Sequence, residues 1–182
     1  KYLKSLGKEV HCDAEHFFDG FAANKKYAIS IVKEAMASGA DWVVLCDTNG
    51  GCMPDQVRET IESLIEEGID AMRLGIHAHN DTENAVANSL AAVQAGVRQI
   101  QGTLNGLGER CGNANLISLL PTLLLKPQFS EKFVTGVTSD SLKEITRASR
   151  IMDDVLNRVP NRFAPYVGSS AFAHKAGLHA NA

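Results

Sequence analysis

Glu66-Glu67-Gly68-Ile69-Asp70-Ala71-Met72-Arg73-Leu74-Gly75-Ile76-His77 reads as the end of a helix, a turn and a strand. Gly68 suits a left-handed helix C-cap, and the apolar run behind it suits a strand. The same grammar stands on either side. Upstream lies Ala37-Ser38-Gly39-Ala40-Asp41-Trp42-Val43-Val44-Leu45-Cys46-Asp47-Thr48; downstream lies Gln94-Ala95-Gly96-Val97-Arg98-Gln99-Ile100-Gln101-Gly102-Thr103. Gly39, Gly68 and Gly96 are spaced by 29 and 28 residues, the size of one βα unit. An earlier strand, Glu9-Val10-His11-Cys12-Asp13-Ala14, precedes the series.

Helices fit between these strands. Asn24 to Ser38 carries Ala28, Ile31, Val32, Ala35 and Met36 at helical spacing. Pro54 opens the next at a first-turn position, with Val57, Ile61, Leu64 and Ile65 on one face. Thr82 to Ala95 repeats the pattern, and a fourth helix runs from about Asn113 to Leu125 before Pro127. Strand alternating with helix predicts a parallel sheet. Four such units are half a (β/α)8 barrel or a small doubly wound sheet. The polar residues decide for the barrel: Glu15, Asp47 with Thr48, His77 with His79, and Asn105 with Asn113 all follow strand C-termini. Barrel active sites collect on that face. The expected fold is therefore α/β, the second half of a TIM barrel over residues 1–126. A helical linker subdomain follows over residues 127–182, with a helix near Ser139 to Leu156.

Composition bounds the function. With 182 residues, 45% of them hydrophobic and 21% charged, the chain can bury a substantial core. A net charge of −3 and a pI near 6.1 offer no general attraction for nucleic acid or anionic membrane. No run of eighteen apolar residues predicts a membrane span. Four cysteines, Cys12, Cys46, Cys52 and Cys111, lack zinc-type spacing and are too sparse for a disulfide scaffold. A reducing cytoplasm is the expected location. The opening Lys1-Tyr2-Leu3-Lys4-Ser5-Leu6-Gly7-Lys8 reads as the tail of an amphipathic helix, as if the chain began within a longer protein.

Chemistry concentrates at His77-Ala78-His79-Asn80-Asp81. Residues two apart on a strand share a face, with Cα atoms about 6.5 Å apart. Both imidazoles can then reach one ion at nitrogen–metal distances of about 2.0–2.2 Å. Two structural histidines are the alternative for an isolated pair of this kind.

Three motifs together resemble the metal-dependent Claisen-condensing acyltransferases, the isopropylmalate, homocitrate and citramalate synthases. They are His77-Ala78-His79-Asn80-Asp81 with Ala85-Val86-Ala87-Asn88-Ser89; Gly102-Thr103-Leu104-Asn105-Gly106-Leu107-Gly108-Glu109-Arg110-Cys111-Gly112-Asn113-Ala114; and Ala171-Phe172-Ala173-His174-Lys175-Ala176-Gly177-Leu178-His179. Asp13 to Gly20, Leu45 to Gly51 and Pro165 to Gly168 are most similar to the citramalate branch.

The resemblance implies an acyltransferase that joins acetyl-CoA to a 2-oxo acid, pyruvate first, converting the acyl group to alkyl in isoleucine biosynthesis. It implies a divalent metal (Mn²⁺, Mg²⁺ or Zn²⁺) on His77 and His79, with Asn113 as a direct or nearby oxygen ligand; a helix N-cap is the other reading of Asn113. Glu15 is placed at the reacting centre, and Thr48 is read as binding the oxo-acid carboxylate. Asn105 and Arg110 are read as substrate-binding, Arg110 pairing with substrate or with Glu109. Asp81 suits a helix start or support of a ligating imidazole. Cys111 sits where related lyases use a cysteine, and a passive role is expected here. His174 and His179 are read as reaching a partner subunit's active site in a homodimer, one of them in the catalytic base. Lys175 departs from the Glu of many isopropylmalate synthases.

The family's Arg-Asp-Gly strand, whose Asp is the third ligand, is not found in this sequence. The expectation is an internal piece of a longer polypeptide, with four βα units before it and more chain after Ala182. Alternatives are an isopropylmalate or homocitrate synthase, a related acyl-CoA lyase, or a piece that is inert and prone to associate when isolated.

Overall fold

The computed structural model describes residues 1–174. His179 and Lys175 lie outside the described residues. Two compact units are present: Lys1–Thr103 with Leu107–Ala114, and Leu104–Gly106 with the chain from Asn115 onward.

The first unit alternates strand and helix. Its elements are α1 (Tyr2–Ser5), β1 (His11–Ala14), α2 (Phe17–Ala23), α3 (Lys25–Ala37), β2 (Trp42–Asp47), α4 (Pro54–Glu66), β3 (Leu74–Ala78), α5 (Ala85–Ala95) and β4 (Gln99–Gln101). All strand pairs are parallel, in the order β1-β2-β3-β4. Sequential parallel order with helical crossovers is the topology of consecutive (β/α)8 units, as the repeat predicts. The three repeated glycines adopt positive φ (Gly39 101°, Gly68 81°, Gly96 125°), so each helix stops where the reading places its cap.

The helices begin for local reasons. Asn24 caps α3 by accepting from Tyr27 N at 3.1 Å. Pro54 occupies the first turn of α4, whose missing N–H costs nothing there. α5 starts three residues later than its periodicity predicts. Glu83 turns left-handed (φ 58°) and Asn80 Oδ1 accepts from Ala85 N at 3.2 Å, so Thr82 to Asn84 form a turn.

One face of the sheet is dry. Val43, Leu45, Leu74, Ile76 and Ala78 are fully buried, as are Val57, Ile61 and Leu64 of α4. At about 1.5–3 kcal/mol for each large aliphatic side chain removed from water, this layer holds the strands in register. The opposite face is mixed, with buried Val44 and Cys46 on β2 and polar residues on the strands either side. Register pairs Gly75 with Gln99 and His77 with Gln101, so these four side-chain positions share a face.

The second unit holds α6 (Leu116–Leu125), α7 (Pro127–Ser130) and α8 (Ile145–Val155), the last preceded by a 3₁₀ turn over Ser141–Glu144. The long helix expected from Ser139 is thus a tight turn followed by a shorter α-helix. Asn115, not Asn113, caps α6: its Oδ1 accepts from Ile117 N at 3.0 Å. Within this unit Thr122 Oγ1 and Tyr166 Oη lie 3.0 Å apart. Among the described residues no helix is long and apolar enough to cross a membrane.

Candidate metal centre

His77 is the penultimate residue of β3, and His79 lies just beyond its end. Their rings face one region, with centroids 5.1 Å apart. His79 extends the strand path by donating its N–H to Asp47 O at 3.2 Å. The loop carrying Asn113 returns alongside: Asn80 N donates to Gly112 O at 2.9 Å and Ala114 N to Ala78 O at 3.0 Å. His79 and Asn113 are thereby partners in an isolated antiparallel bridge. Gly108 makes this possible, because a methyl group there would run into the Asn113 carboxamide.

Two atoms at this point lack hydrogen-bond partners while buried: His79 Nδ1 and Asn113 Oδ1. The Asn113 amide nitrogen is satisfied, donating to Leu107 O at 3.2 Å. A buried polar atom without a partner costs about 1–3 kcal/mol; Ser63, Asn88 and Gln99 carry such atoms too, but only here do two stand beside a second imidazole, an arrangement a shared ligand would satisfy. Burial, then the neighbouring His77 imidazole and the Arg110 charge, holds His79 below the ordinary histidine pKa. A neutral imidazole is the form that binds a metal. Two imidazoles and an amide oxygen suit a divalent cation of borderline hardness and leave positions open for substrate. Among the described residues no three His, Cys, Asp or Glu side chains form such a group. The histidine pair with Asn113 is what this chain offers, and it fits part of a coordination shell.

The neighbouring strand ends are clipped together. Thr48 Oγ1 donates to Glu15 Oε2 at 2.7 Å and accepts from His16 N at 2.7 Å. Asp47 is 3% exposed and accepts from Gly51 N and Cys52 N, both at 3.2 Å, and from Asn88 Nδ2 at 3.4 Å. It therefore shapes the loop that presents Thr48. Arg110, itself left-handed (φ 52°), grips Asp81 with two bonds of 2.8 and 3.0 Å and donates to Thr48 O at 2.7 Å. This bond to Arg110 holds the Asp81 carboxyl below the usual carboxylate range.

Arg110 lies 3.9 Å from Glu109 but takes Asp81 as its main partner, a pairing 29 residues apart that local pattern cannot supply. Asn105 belongs to the second unit, where its amide donates to Ser149 O at 2.9 Å and Asp153 Oδ1 at 3.0 Å and accepts from Ser149 Oγ at 2.7 Å. His174, also in that unit, is exposed. Cys111 is exposed and free, whereas burial pushes the Cys46 and Cys52 thiols up to about 12.

Sequence reading missed the polar face beside the histidines. Gln101 Oε1 lies 2.8 Å from His77 Nδ1, and Gln101 Nε2 donates to Asp13 Oδ1 at 3.2 Å. Lower down, Gln99 Nε2 lies 2.8 Å from His11 Nδ1. The signal was present as His11-x-Asp13 and Gln99-x-Gln101, polar residues at period two inside strands.

Comparison with known proteins agrees with this architecture. The chain is 50% identical to the (R)-citramalate synthase of Aquifex aeolicus over 182 residues, all of this chain and 33% of that protein. It is 47% identical to the Synechocystis (R)-citramalate synthase over 187 residues, again 33% of its length. The 2-isopropylmalate synthase of Methylacidiphilum infernorum is 37% identical over 98% of this chain and 35% of that protein. The chain thus spans about a third of these curated relatives. In fold it is similar to the HMG-CoA lyase of Bacillus subtilis, with a TM-score of 0.63 and 24% identity over 75% of this chain and 45% of that one. It is also similar to the carboxyl transferase domain of Rhizobium etli pyruvate carboxylase, with a TM-score of 0.64 and 21% identity over 86% of this chain and 25% of that one. The HMGL-like family model matches residues 1–151, and the chain belongs to that family.

Proposed function

We propose that the protein carrying this chain condenses acetyl-CoA with a 2-oxo acid, pyruvate first, releasing citramalate and CoA. The observation that carries the metal reading is the pair of buried unpartnered atoms on His79 and Asn113 beside His77. Identity of 45–50% to five (R)-citramalate synthases over the whole chain supports the substrates.

The reaction removes a proton from the acetyl methyl group and forms a carbon–carbon bond to the keto carbon. The keto oxygen takes up a proton, and water then cleaves the thioester. His77, His79 and Asn113 would hold a divalent cation, Mn²⁺, Mg²⁺ or Zn²⁺. When bound, that ion supplies Lewis-acid polarisation of the oxo acid. Glu15, fixed by the Thr48 hydroxyl, orients the reacting methyl group or its base. Thr48 engages the substrate carboxylate by turning its hydroxyl from Glu15. Arg110 reaches substrate only by exchanging Asp81, and Asn105 only by leaving Ser149 and Asp153. One histidine of the post-barrel segment, His179 first and His174 as the alternative, takes part in the base across a homodimer.

The test is thiol release by full-length, metal-stripped protein given acetyl-CoA and pyruvate, with and without Mn²⁺. Metal-dependent citramalate formation is the expected result. Turnover unaffected by chelation would overturn the mechanism. Much faster turnover of 2-oxoisovalerate would replace pyruvate and move the protein to the isopropylmalate branch.

A further inference from the structure

The hydrogen bonds behind His77 determine which of its nitrogens carries the proton and which keeps a free lone pair. Gln101 is its register partner on β4, so both side chains leave the same face of the sheet. The amide of Gln101 spans two groups: its oxygen lies 2.8 Å from His77 Nδ1, and its nitrogen donates to Asp13 Oδ1 at 3.2 Å. Asp13 lies on β1, at the far edge of the four-stranded sheet. The sheet curls enough for side chains of its two edge strands to meet across the polar face, as strand tilt in a barrel requires.

The direction of these bonds is chemically constrained. An ionised carboxylate accepts and cannot donate. Asp13 must therefore face the NH₂ of Gln101, which turns the carbonyl oxygen toward His77. A carbonyl cannot donate either, so His77 Nδ1 must carry the proton. Its Nε2 is left with a free lone pair, the atom that binds a metal.

A second imidazole–amide pair on the same face runs the other way. His11 Nε2 lies 3.4 Å from Glu9 Oε1, an electrostatic contact. Its Nδ1 accepts from Gln99 Nε2 at 2.8 Å. Each pair joins a histidine to a glutamine of β4, His77 from the adjacent β3 and His11 from the far edge strand β1, yet their polarity is opposite. What differs is where the carboxylate stands. Glu9 touches the His11 imidazole directly, and Asp13 acts on His77 through the amide.

We propose that Asp13 and Gln101 are positioning residues forming a relay that fixes the His77 tautomer, presenting Nε2 to the divalent cation. Neither touches the ion or substrate. The inference rests on the metal reading above. Outer partners of a ligating histidine are worth about 10–100-fold in metal affinity. A relay differs from plain packing in one respect: it tolerates movement of the carboxylate along the chain of bonds, provided the direction is kept.

Mn²⁺ titration of the metal-stripped full-length protein tests this, with melting of each metal-free variant as the fold control. Gln101→Leu removes the acceptor and is expected to weaken Mn²⁺ binding about 10–100-fold. Asp13→Asn frees the amide to flip and is expected to weaken binding by less. Asp13→Asn combined with Gln101→Glu moves the carboxylate one step but keeps a donor facing an acceptor, and an acceptor facing His77. That pair is expected to recover affinity to within a few-fold of wild type, which loss of packing would not allow. If Gln101→Leu fails to fold, Asp13→Asn and the double exchange carry the same comparison. Wild-type affinity in both Gln101→Leu and Asp13→Asn, with His77→Ala defective, would overturn the relay and leave the metal reading standing. Failure of wild type to bind Mn²⁺, or unchanged binding in His77→Ala, would overturn the metal reading itself.

Discussion

The two ends of the same four strands treat polar groups in opposite ways. At the N-terminal ends Asp41 is bound by Lys4 Nζ with two contacts of 2.8 Å and by Val10 N at 2.7 Å. Trp42 Nε1 donates to Glu9 at 2.8 Å, and Arg73 covers the carbonyls of Ala40 and Asp41. At the C-terminal ends His79 Nδ1 and Asn113 Oδ1 are buried with nothing to bond. Left-handed backbone at His16, Glu83 and Arg110 gathers on the loops there. One end is the more closed in its hydrogen bonding, though Gln99 Oε1 there also lacks a partner, and the other holds a histidine nitrogen and an amide oxygen in reserve. In (β/α)8 proteins that asymmetry separates the stabilising face from the reacting one. Substitutions at the two ends should therefore fail in different assays.

The largest expected effect is on function without fold. His79→Ala removes a ligand candidate, whereas loss of an outer partner alone costs about 10–100-fold in metal affinity, so a drop beyond about 100-fold in Mn²⁺ affinity and turnover is expected. The metal-free melting temperature should stay close to wild type or rise, because an unpartnered buried nitrogen is removed. A variant that unfolds while its folded fraction still binds Mn²⁺ normally would erase the contrast between the ends.

Asp47 tests whether the division is by end or by residue. It stands at the C-terminal end of β2 but is almost fully buried and bonded to two backbone N–H groups and Asn88. Asp47→Ala leaves these donors unsatisfied and should destabilise by about 1–3 kcal/mol, read by denaturant titration. Loss of activity should follow from displacement of the Thr48 loop. Activity lost with unchanged stability would recast Asp47 as a direct participant.

Gly108→Ala is the subtler intervention at the same end. The added methyl collides with the Asn113 amide, so the oxygen must move from its place beside His79. A roughly tenfold loss of Mn²⁺ affinity is expected, the low end of the range for disturbed coordination geometry. The loop is exposed at Glu109 to Cys111 and should absorb the change with little loss of stability.

The contrast between the ends also explains what the amino-acid sequence reveals. Glycine caps at residues 39, 68 and 96, and apolar runs between them, depend on neighbours within a few residues, so strand order and helix positions were legible. His77 and His79 were legible for the same reason, because period two puts them on one face. Asn113 was half legible: two asparagines stand beside α6, and only the loop's return along Ala78–Asn80 assigns capping to Asn115 and leaves the Asn113 amide oxygen unpartnered. The Asp13–Gln101–His77 and Arg110–Asp81 pairings join residues between 24 and 88 positions apart. They depend on strand stagger and loop path, which no local pattern encodes. Asn105 carried a motif's implication toward the site, while its carboxamide is spent on Ser149 and Asp153.

The smallest expected effect belongs to the closed end and concerns pH. The hydrogen bond from Lys4, then that from the Val10 N–H, holds the Asp41 carboxyl below its ordinary value of 3.8. The folded state therefore binds a proton there more weakly than the unfolded state does. Stability contributed by this carboxylate is fully present above pH 3.8 and is lost as pH falls through the lowered folded value. Asp41→Asn should melt at a modestly lower temperature than wild type at neutral pH, since the pair is partly solvent-exposed and salt weakens it. The two melting curves should converge as pH falls from 3.8 through the lowered folded value, where folded wild type too becomes protonated. Mn²⁺ affinity at neutral pH should be equal in both proteins, because Asp41 lies at the opposite ends of the strands. A melting gap that stays constant through the acid range would show that Asp41 acts by shape rather than charge. A fall in Mn²⁺ affinity would show that the two ends are coupled through the strands, and the separation drawn between them would fail.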